Sequence, residues 1–287
     1  MNTYELDNIY CGECGAMMAG LPDDFIDLTV TSPPYDLVDY DETGNLVTHP
    51  KNGLRTYNGY TWDFASVAKQ LYRVTKPGGV VVWVVGDATE DFCESLTSAK
   101  QKIYFVEACG FNLLDTMIYE KNGYPAQYPG MMRYVGAFEY MLIFSKGKPK
   151  TYNPITDRYT KTKGAHRDSF TQRQKDGSTK HTSTGFEIGE YSTRNNIWTY
   201  NTGFLRVTLD REAYHHPAIF PEALARDHII SWSNPQEIIL DPFCGSGTTC
   251  KAAKQFGRHY LGFEISQEYV DLANKRLFQT NPPLFTL

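Results

Sequence analysis

The 287-residue sequence has no apolar run of roughly 18 residues or more, which speaks against a membrane-spanning helix. Its opening, Met1 to Tyr10, carries neither a basic nor an apolar stretch suited to export, so a cytoplasmic protein is expected. Cysteine is sparse: Cys11, Cys14, Cys93, Cys109, Cys244 and Cys250 are scattered, several of them in apolar runs where a thiol acts as a small hydrophobe. No disulfide framework is expected. Cys11 and Cys14 form a C-x-x-C, but no second pair or His cluster follows at ligand spacing, so no metal is expected. A basic surplus is lacking too. The formal charge of −5 argues against a protein that coats nucleic acid with its whole surface and leaves room only for a local patch. There is no internal repeat.

What is present is the texture of an α/β sheet. Ile26 to Val30, Val80 to Val85, Ile238 to Leu240 and His259 to Phe263 are short apolar runs, each followed by Gly, Pro or a helical pattern, as parallel strands covered on both faces would be. Trp62 to Val74 has helical spacing and stops at Lys76-Pro77-Gly78-Gly79 before the second of these strands. Leu113 to Tyr119 and Tyr140 to Ser145 are strand-like with no helix between them, which predicts an antiparallel pair at one sheet edge. A helix is expected from Phe220 through Trp232. From Lys146 to His181 the texture turns polar, with ten Lys/Arg against three Asp/Glu.

Two motifs stand at strand ends. Ile238 to Leu240 runs into Asp241-Pro242-Phe243-Cys244-Gly245-Ser246-Gly247-Thr248-Thr249 and a helix opening near Thr248, the strand, Gly-rich turn and helix that hold a nucleotide-like cofactor. Gly245 and Gly247 allow close backbone approach, and the amides at the helix start favour an anionic group. The third Gly of a dinucleotide fingerprint is replaced by Thr249 and Cys250, which disfavours a pyrophosphate and with it a nicotinamide oxidoreductase. Glu264, 23 residues after Asp241, ends the following strand, where a carboxylate can accept both ribose hydroxyls of an adenosine; its other reading is as a helix N-cap.

The second motif, Thr31-Ser32-Pro33-Pro34-Tyr35, follows the apolar strand Phe25 to Val30. Two prolines make the turn rigid and remove two amide donors. The Ser32 side chain and the Pro33 carbonyl can then accept the two hydrogens of a base amino group, with the Tyr35 ring stacked on the base. Such acceptors help a delocalised nitrogen lone pair turn pyramidal as it attacks, with positioning as the mechanism and no covalent intermediate. Alone, this tetrapeptide is more often a structural turn; the companion loop at Asp241 reverses that balance.

Together these segments resemble the amino-group DNA methyltransferases, the N4-cytosine and N6-adenine family, whose methylation turn is (Asp/Asn/Ser)-Pro-Pro-(Tyr/Phe/Trp) and whose cofactor loop is D-P-F-x-G-S-G-T. The order of turn, basic segment and cofactor loop resembles the permuted β group. The resemblance implies a Rossmann-like, mostly parallel sheet with an antiparallel edge hairpin and an inserted recognition module. It implies catalytic residues Ser32, Pro33, Pro34 and Tyr35, and S-adenosyl-L-methionine as cofactor, with S-adenosyl-L-homocysteine as product. The cofactor would be held by Asp241, Phe243, Gly245, Ser246, Gly247, Thr248 and Glu264. It further implies a segment Phe220, Pro221 and Leu224 against the methionine part, and Glu13 near the adenine, where the family usually has Asp. The expected division is 1–145 and 206–287 for the catalytic domain and 146–205 for the DNA-recognition module.

DNA is the expected partner, with a homodimer and a cognate restriction endonuclease left open. The base would be extruded from the duplex. Lys161, Lys163, Arg167, Arg173 and Lys175 are candidate phosphate contacts, and Tyr57, Tyr60 or Tyr159 candidate supports for displaced bases. Asp36 to Tyr60 is either a lid or an ordinary surface loop. Ser32 at the first motif position leans towards cytosine N4, with adenine N6 as the alternative. An RNA or protein amide methyltransferase and a catalytically silent DNA-binding module are the remaining readings, and the second would have no use for Glu264 and the Gly245/Gly247 loop.

Overall fold

The computed structural model describes residues 4–35, 37–49, 62–90, 92–123, 126–127, 130, 132–203, 205–216 and 218–280. The chain divides into two compact units, Met1–Asn153 with Asn196–Leu287, and Pro154–Asn195.

The large unit begins with β1 (Asn8–Cys11), α1 (Cys14–Ala19) and β2 (Ile26–Thr31). A hairpin of β3 (Leu37–Tyr40) and β4 (Leu46–His49) precedes α2 (Phe64–Val74) and β5 (Thr75–Val85). The two-residue strands β6 (Thr89–Glu90) and β7 (Cys93–Glu94) lead to α3 (Thr97–Glu107), β8 (Asn112–Asn122) and β9 (Phe138–Ser145). The small unit holds β10 (Thr156–Tyr159), β11 (His166–Arg173), β12 (Thr179–Glu187) and β13 (Tyr191–Thr193). Back in the large unit come β14 (Ile197–Asn201), a short 3-10 helix (Arg211–His215), α4 (Glu222–Trp232) and β15 (Ile238–Asp241). α5 (Thr248–Gln255), β16 (His259–Glu264) and α6 (Gln267–Phe278) close it.

Eight strands form one sheet in the order β1-β16-β15-β2-β5-β9-β8-β14. Only β9 runs against the others, pairing antiparallel with both β5 and β8. The expected antiparallel hairpin is therefore present, but β14 adds a parallel strand outside β8, in register from Ile197 opposite Ile118 to Asn201 opposite Asn122.

Helices cover both faces of the central strands, so β2 is buried along its whole length and β5 from Gly79 to Val85, and β5 there reads as an unbroken apolar run from Val80. On one face α1, α2 and α3 share a core with Ile26, Val81, Trp83, Val85 and Phe144. α2 contributes Phe64, Val67, Ala68, Leu71 and Val74, one stripe at helical spacing, and Asp63 caps it by accepting from the Ser66 amide. Trp83, Phe105, Phe111 and Phe144 meet edge to face or tilted at the centre of this layer. Strand alternation sends Leu28, Val30, Val80, Val82 and Val84 to the opposite face, where α4, α5 and α6 pack side by side.

The segment read as either a lid or a surface loop is partly regular structure: Val38 and Leu46 of the β3–β4 hairpin are buried in the same core. Tyr57 and Tyr60 lie outside the described residues.

The small unit is a two-stranded antiparallel ribbon. β10 pairs with β13 at its base and β11 with β12 beyond it, closed by a turn in which the Gly177 amide donates to the Gln174 carbonyl. All of β10 and β11 is exposed, so the ribbon has no core of its own. The unit is narrower than 146–205 at both ends. Lys146 pairs with Asp24 and Lys150 with Asp27 and Glu237 inside the large unit, and 197–201 is sheet strand β14. Ion pairing claims those lysines for the base of the sheet, which composition alone had assigned to the patch.

Candidate active site

Parallel strands deliver their carboxyl ends to one rim of the sheet, and β2, β15, β16 and β1 there carry Thr31, Asp241, Glu264 and Cys11. β9, running the other way, brings its first residues to the same rim: Tyr140 is opposite Val85, the last residue of β5. Both motifs found in the sequence therefore meet on neighbouring strands.

Their link is one buried hydrogen bond. Thr31 Oγ1 donates to Asp241 Oδ1 at 2.7 Å, and the Phe243 amide donates to the same oxygen at 3.2 Å. Asp241 Oδ2 is buried and has no hydrogen-bond partner among the described residues. Burial, helped by the charge of Glu264, raises this carboxyl to about 6 against the lowering effect of Thr31, the Phe243 amide and the nearby Thr249 hydroxyl, whose own hydrogen bond goes to the Val30 carbonyl. An unpartnered buried carboxylate oxygen fits a cationic group of a ligand.

The loop after Asp241 turns on Gly245 (φ +48°) and Gly247 (φ +78°), left-handed positions that favour glycine. Gly247 stands at the N-cap of α5, with Ser246, Thr248 and Thr249 buried behind it. Glu264 reaches across from β16: its Oε2 accepts from the Gly245 amide at 2.9 Å and its Oε1 from the Ser266 amide at 3.0 Å. The N-cap of α6 is Ser266, so Glu264 is not the helix cap; it ties the loop to the residue that precedes α6, and each oxygen keeps a lone pair for a diol. Burial raises its carboxyl, opposed by these amides.

Glu13 follows β1 and is the N-cap of α1, accepting from the Gly15 amide at 2.9 Å and the Ala16 amide at 2.6 Å. Gly12 bonds to the Glu264 carbonyl, so Glu13 stands at the same rim with its carboxylate turned onto its own helix. Pro221 is the N-cap of α4, Leu224 is fully buried, and Phe220 is half-buried just before the helix.

At the Ser32 to Tyr35 turn, Ser32 Oγ donates to Tyr35 Oη at 3.2 Å, and Tyr35 Oη donates to Glu139 Oε2 at 2.7 Å. Lys121 Nζ is 2.5 Å from the other Glu139 oxygen. Burial, then the Glu139 charge, pushes the phenol well above its ordinary range.

Three residues that no local motif announced also bear on the site. Arg276 of α6 is 1% exposed. Its guanidinium donates to the Ser246 carbonyl, to Ser246 Oγ at 3.0 Å and to Asp210 at 2.7 Å and Glu222 at 2.9 Å. Lys251 of α5 joins the same two carboxylates at 3.2 Å and 2.7 Å. Burial would raise Asp210, but Arg276 and Lys251 overcome it and hold it below the usual carboxylate range. The cofactor-type loop is thereby braced from α4, α5 and α6 at once. His216 lies over the loop, its Nε2 2.9 Å from where a Cβ on Gly245 would sit, and burial pushes its imidazole down to about 4, so it is neutral there.

Lys161, Lys163, Arg167, Arg173 and Lys175 are all exposed on the ribbon of the small unit, as is Tyr159, and Lys163 pairs with Glu190 at 3.2 Å. Among the described residues no cluster of His, Cys, Asp and Glu is arranged to hold a metal, and no helix is long and apolar enough to cross a membrane.

A family model described as DNA methylase matches residues 26–275. The chain is similar to the orphan methyltransferase M.BamHII of Bacillus amyloliquefaciens, with 49% identity over 262 residues, covering 91% of this chain and 92% of that one. The type II methyltransferase M.BglII of Bacillus subtilis is 27% identical over 270 residues, covering 93% of this chain and 68% of its own length. Among solved structures, the PvuII DNA methyltransferase (cytosine-N4-specific) aligns with a TM-score of 0.64 at 22% identity, over 93% of this chain and 85% of that one. TTHA0409 of Thermus thermophilus, described as a putative DNA modification methylase complexed with S-adenosyl-L-methionine, aligns with a TM-score of 0.56 at 23% identity, over 95% of each chain. These two likenesses establish a shared fold.

Proposed function

The chain belongs to the N4/N6 DNA methylase family, and on that premise we propose that it transfers the methyl group of S-adenosyl-L-methionine to the exocyclic N4 of cytosine in DNA. The observation that carries this reading is the Thr31 to Asp241 hydrogen bond, which joins the end of the amino-group turn to the start of the cofactor loop.

Asp241 Oδ2 is suited to the ammonium of the methionine part, and the Gly245 to Thr248 turn to its carboxylate. Glu264 has the lone pairs for the ribose hydroxyls, and Leu224 with Phe220 and Pro221 supplies apolar surface at the start of α4. When bound, the cofactor supplies an electrophilic methyl carbon on a sulfonium. The protein's task is to place a nitrogen in line with it. Ser32 Oγ and the Pro33 carbonyl accept the two amino hydrogens, and Tyr35 presents its ring to the base with its hydroxyl anchored on Glu139. Because the amino group lies at a pairing edge, the base leaves the duplex first, at a cost of about a few kcal/mol.

The exposed ribbon is the part of the chain suited to duplex contact. A two-stranded ribbon is among the elements a major groove of about 12 Å admits. Eight Lys/Arg against five Asp/Glu within 154–195 give it a positive excess for phosphates. Cytosine is favoured by Ser32, and the fold is shared with an enzyme named cytosine-N4-specific.

The test is transfer of labelled methyl from S-adenosyl-L-methionine to duplex DNA, RNA and protein in parallel. Label on DNA alone, abolished in Pro34→Ala while calorimetry still detects cofactor binding, is expected. Label on RNA or protein instead would overturn the reading.

A further inference from the structure

Glu139 lies on β9, 104 residues from Tyr35, and belongs to neither motif. The chain of bonds from Ser32 to Tyr35 to Glu139 has only one possible direction. A carboxylate oxygen accepts and cannot donate, so Tyr35 must give its single proton to Glu139 across 2.7 Å. The Tyr35 oxygen can then only accept, so across 3.2 Å the proton of the pair is the one on Ser32. A serine hydroxyl is ordinarily both donor and acceptor. With its proton committed to Tyr35, Ser32 Oγ offers only lone pairs to a third group.

We propose that Glu139 is a positioning residue that acts through Tyr35 to fix Ser32 as an obligate hydrogen-bond acceptor for the target amino group. A neutral serine thereby gains the polarity an aspartate would have unaided. The inference rests on the reading of the turn as the amino-group site. Lys121, at 2.5 Å from the second Glu139 oxygen, keeps that carboxylate in place. The phenol, pushed well above its ordinary range by burial and by the Glu139 charge, keeps the proton it has to donate.

The lysine makes the proposal sharply testable through Glu139→Gln. Lys121 can only donate, so the amide would turn its oxygen to Lys121 and its NH2 to Tyr35. The chain then reverses: the amide donates to Tyr35, Tyr35 donates to Ser32, and the serine proton, no longer held by Tyr35, is free to turn towards the amino group, donor against donor. Steady-state methylation of duplex DNA is expected to lose about 10- to 100-fold in kcat, with cofactor affinity and melting temperature unchanged.

In a Tyr35→Phe background, Glu139→Gln should cause no further loss, because the path to Ser32 is already cut. Ser32→Asp in the Glu139→Gln background should recover kcat, since a carboxylate accepts from the reversed Tyr35 and from the amine alike. An active wild type with an unaffected Glu139→Gln would overturn the relay alone, as would losses in Tyr35→Phe and Glu139→Gln that multiply in the double variant. A wild type that binds cofactor and transfers nothing to DNA would overturn the functional reading and the relay with it.

Discussion

Asp241 shows how one side chain can tie local energetics to ligand binding. Its folded value of about 6 lies above the ordinary 3.8, so the folded state holds this proton more tightly than the unfolded chain does. Between pH 6 and 3.8 the group therefore adds stability to the empty protein as pH falls, and above pH 6 it is a constant penalty. Under the proposed pairing of Asp241 with the cofactor ammonium, binding has the opposite sign, because a cation needs the ionised form. Cofactor affinity is expected to weaken about tenfold from pH 7 to pH 5, measured by calorimetry. Glu264, also raised by burial, would steepen the fall, and Asp241→Asn should bind weakly with a flatter profile. A second prediction concerns Gly245. Alanine there meets His216 Nε2 at 2.9 Å at a φ of +48°, so Gly245→Ala should lose cofactor affinity and about 1–2 kcal/mol of stability, read from binding and chemical denaturation.

At the scale of elements, the last helix acts on the loop that follows Asp241. α6 delivers Arg276 beneath Ser246, and Asp210 and Glu222 share that guanidinium with Lys251. Removing one partner from such a buried set strands the others. Arg276→Met should destabilise the protein by about 3–5 kcal/mol in denaturant melts and weaken cofactor binding with it. Arg276→Lys should recover little, because an ammonium cannot serve the loop and both carboxylates with a planar fork.

This bracing was not legible in the sequence, and the reason is physical. Ser32 to Tyr35 and Asp241 to Thr248 are contiguous, so their chemistry is written locally. Arg276, Glu139 and Lys121 are single charged residues whose roles exist only once the sheet order brings distant strands together. Strands β2, β5, β15 and β16 were legible because burial on both faces makes them short and mostly apolar, each next to a Gly, Pro or helical signal. β14, alternating buried Trp198 and Tyr200 with exposed neighbours, was hidden at the end of a polar segment, and α3 buries so few apolar residues that its period is faint.

For the whole molecule, the charge map needed the structure to be read correctly. Lys146 and Lys150 belong to ion pairs beneath the sheet, so the positive excess attributed to the inserted segment is smaller than composition suggests. The exposed ribbon that remains should govern affinity for DNA and leave chemistry alone. Replacing Lys161, Arg167, Arg173 and Lys175 together with alanine is expected to raise the DNA Kd and leave cofactor affinity unchanged. The salt dependence of log Kd should become shallower by about 0.9 for each phosphate that is no longer neutralised. An unchanged salt slope would place the DNA-binding surface elsewhere on the chain.

The central claim, that the turn at Ser32 holds the amino group of a cytosine, is tested most directly by the chemical identity of the product. Mixed-sequence duplex DNA is incubated with the protein and S-adenosyl-L-methionine, digested to nucleosides and resolved by mass, with Pro34→Ala alongside. N4-methylcytosine in the wild-type digest, absent from Pro34→Ala, is the predicted result; N6-methyladenine in its place would contradict it.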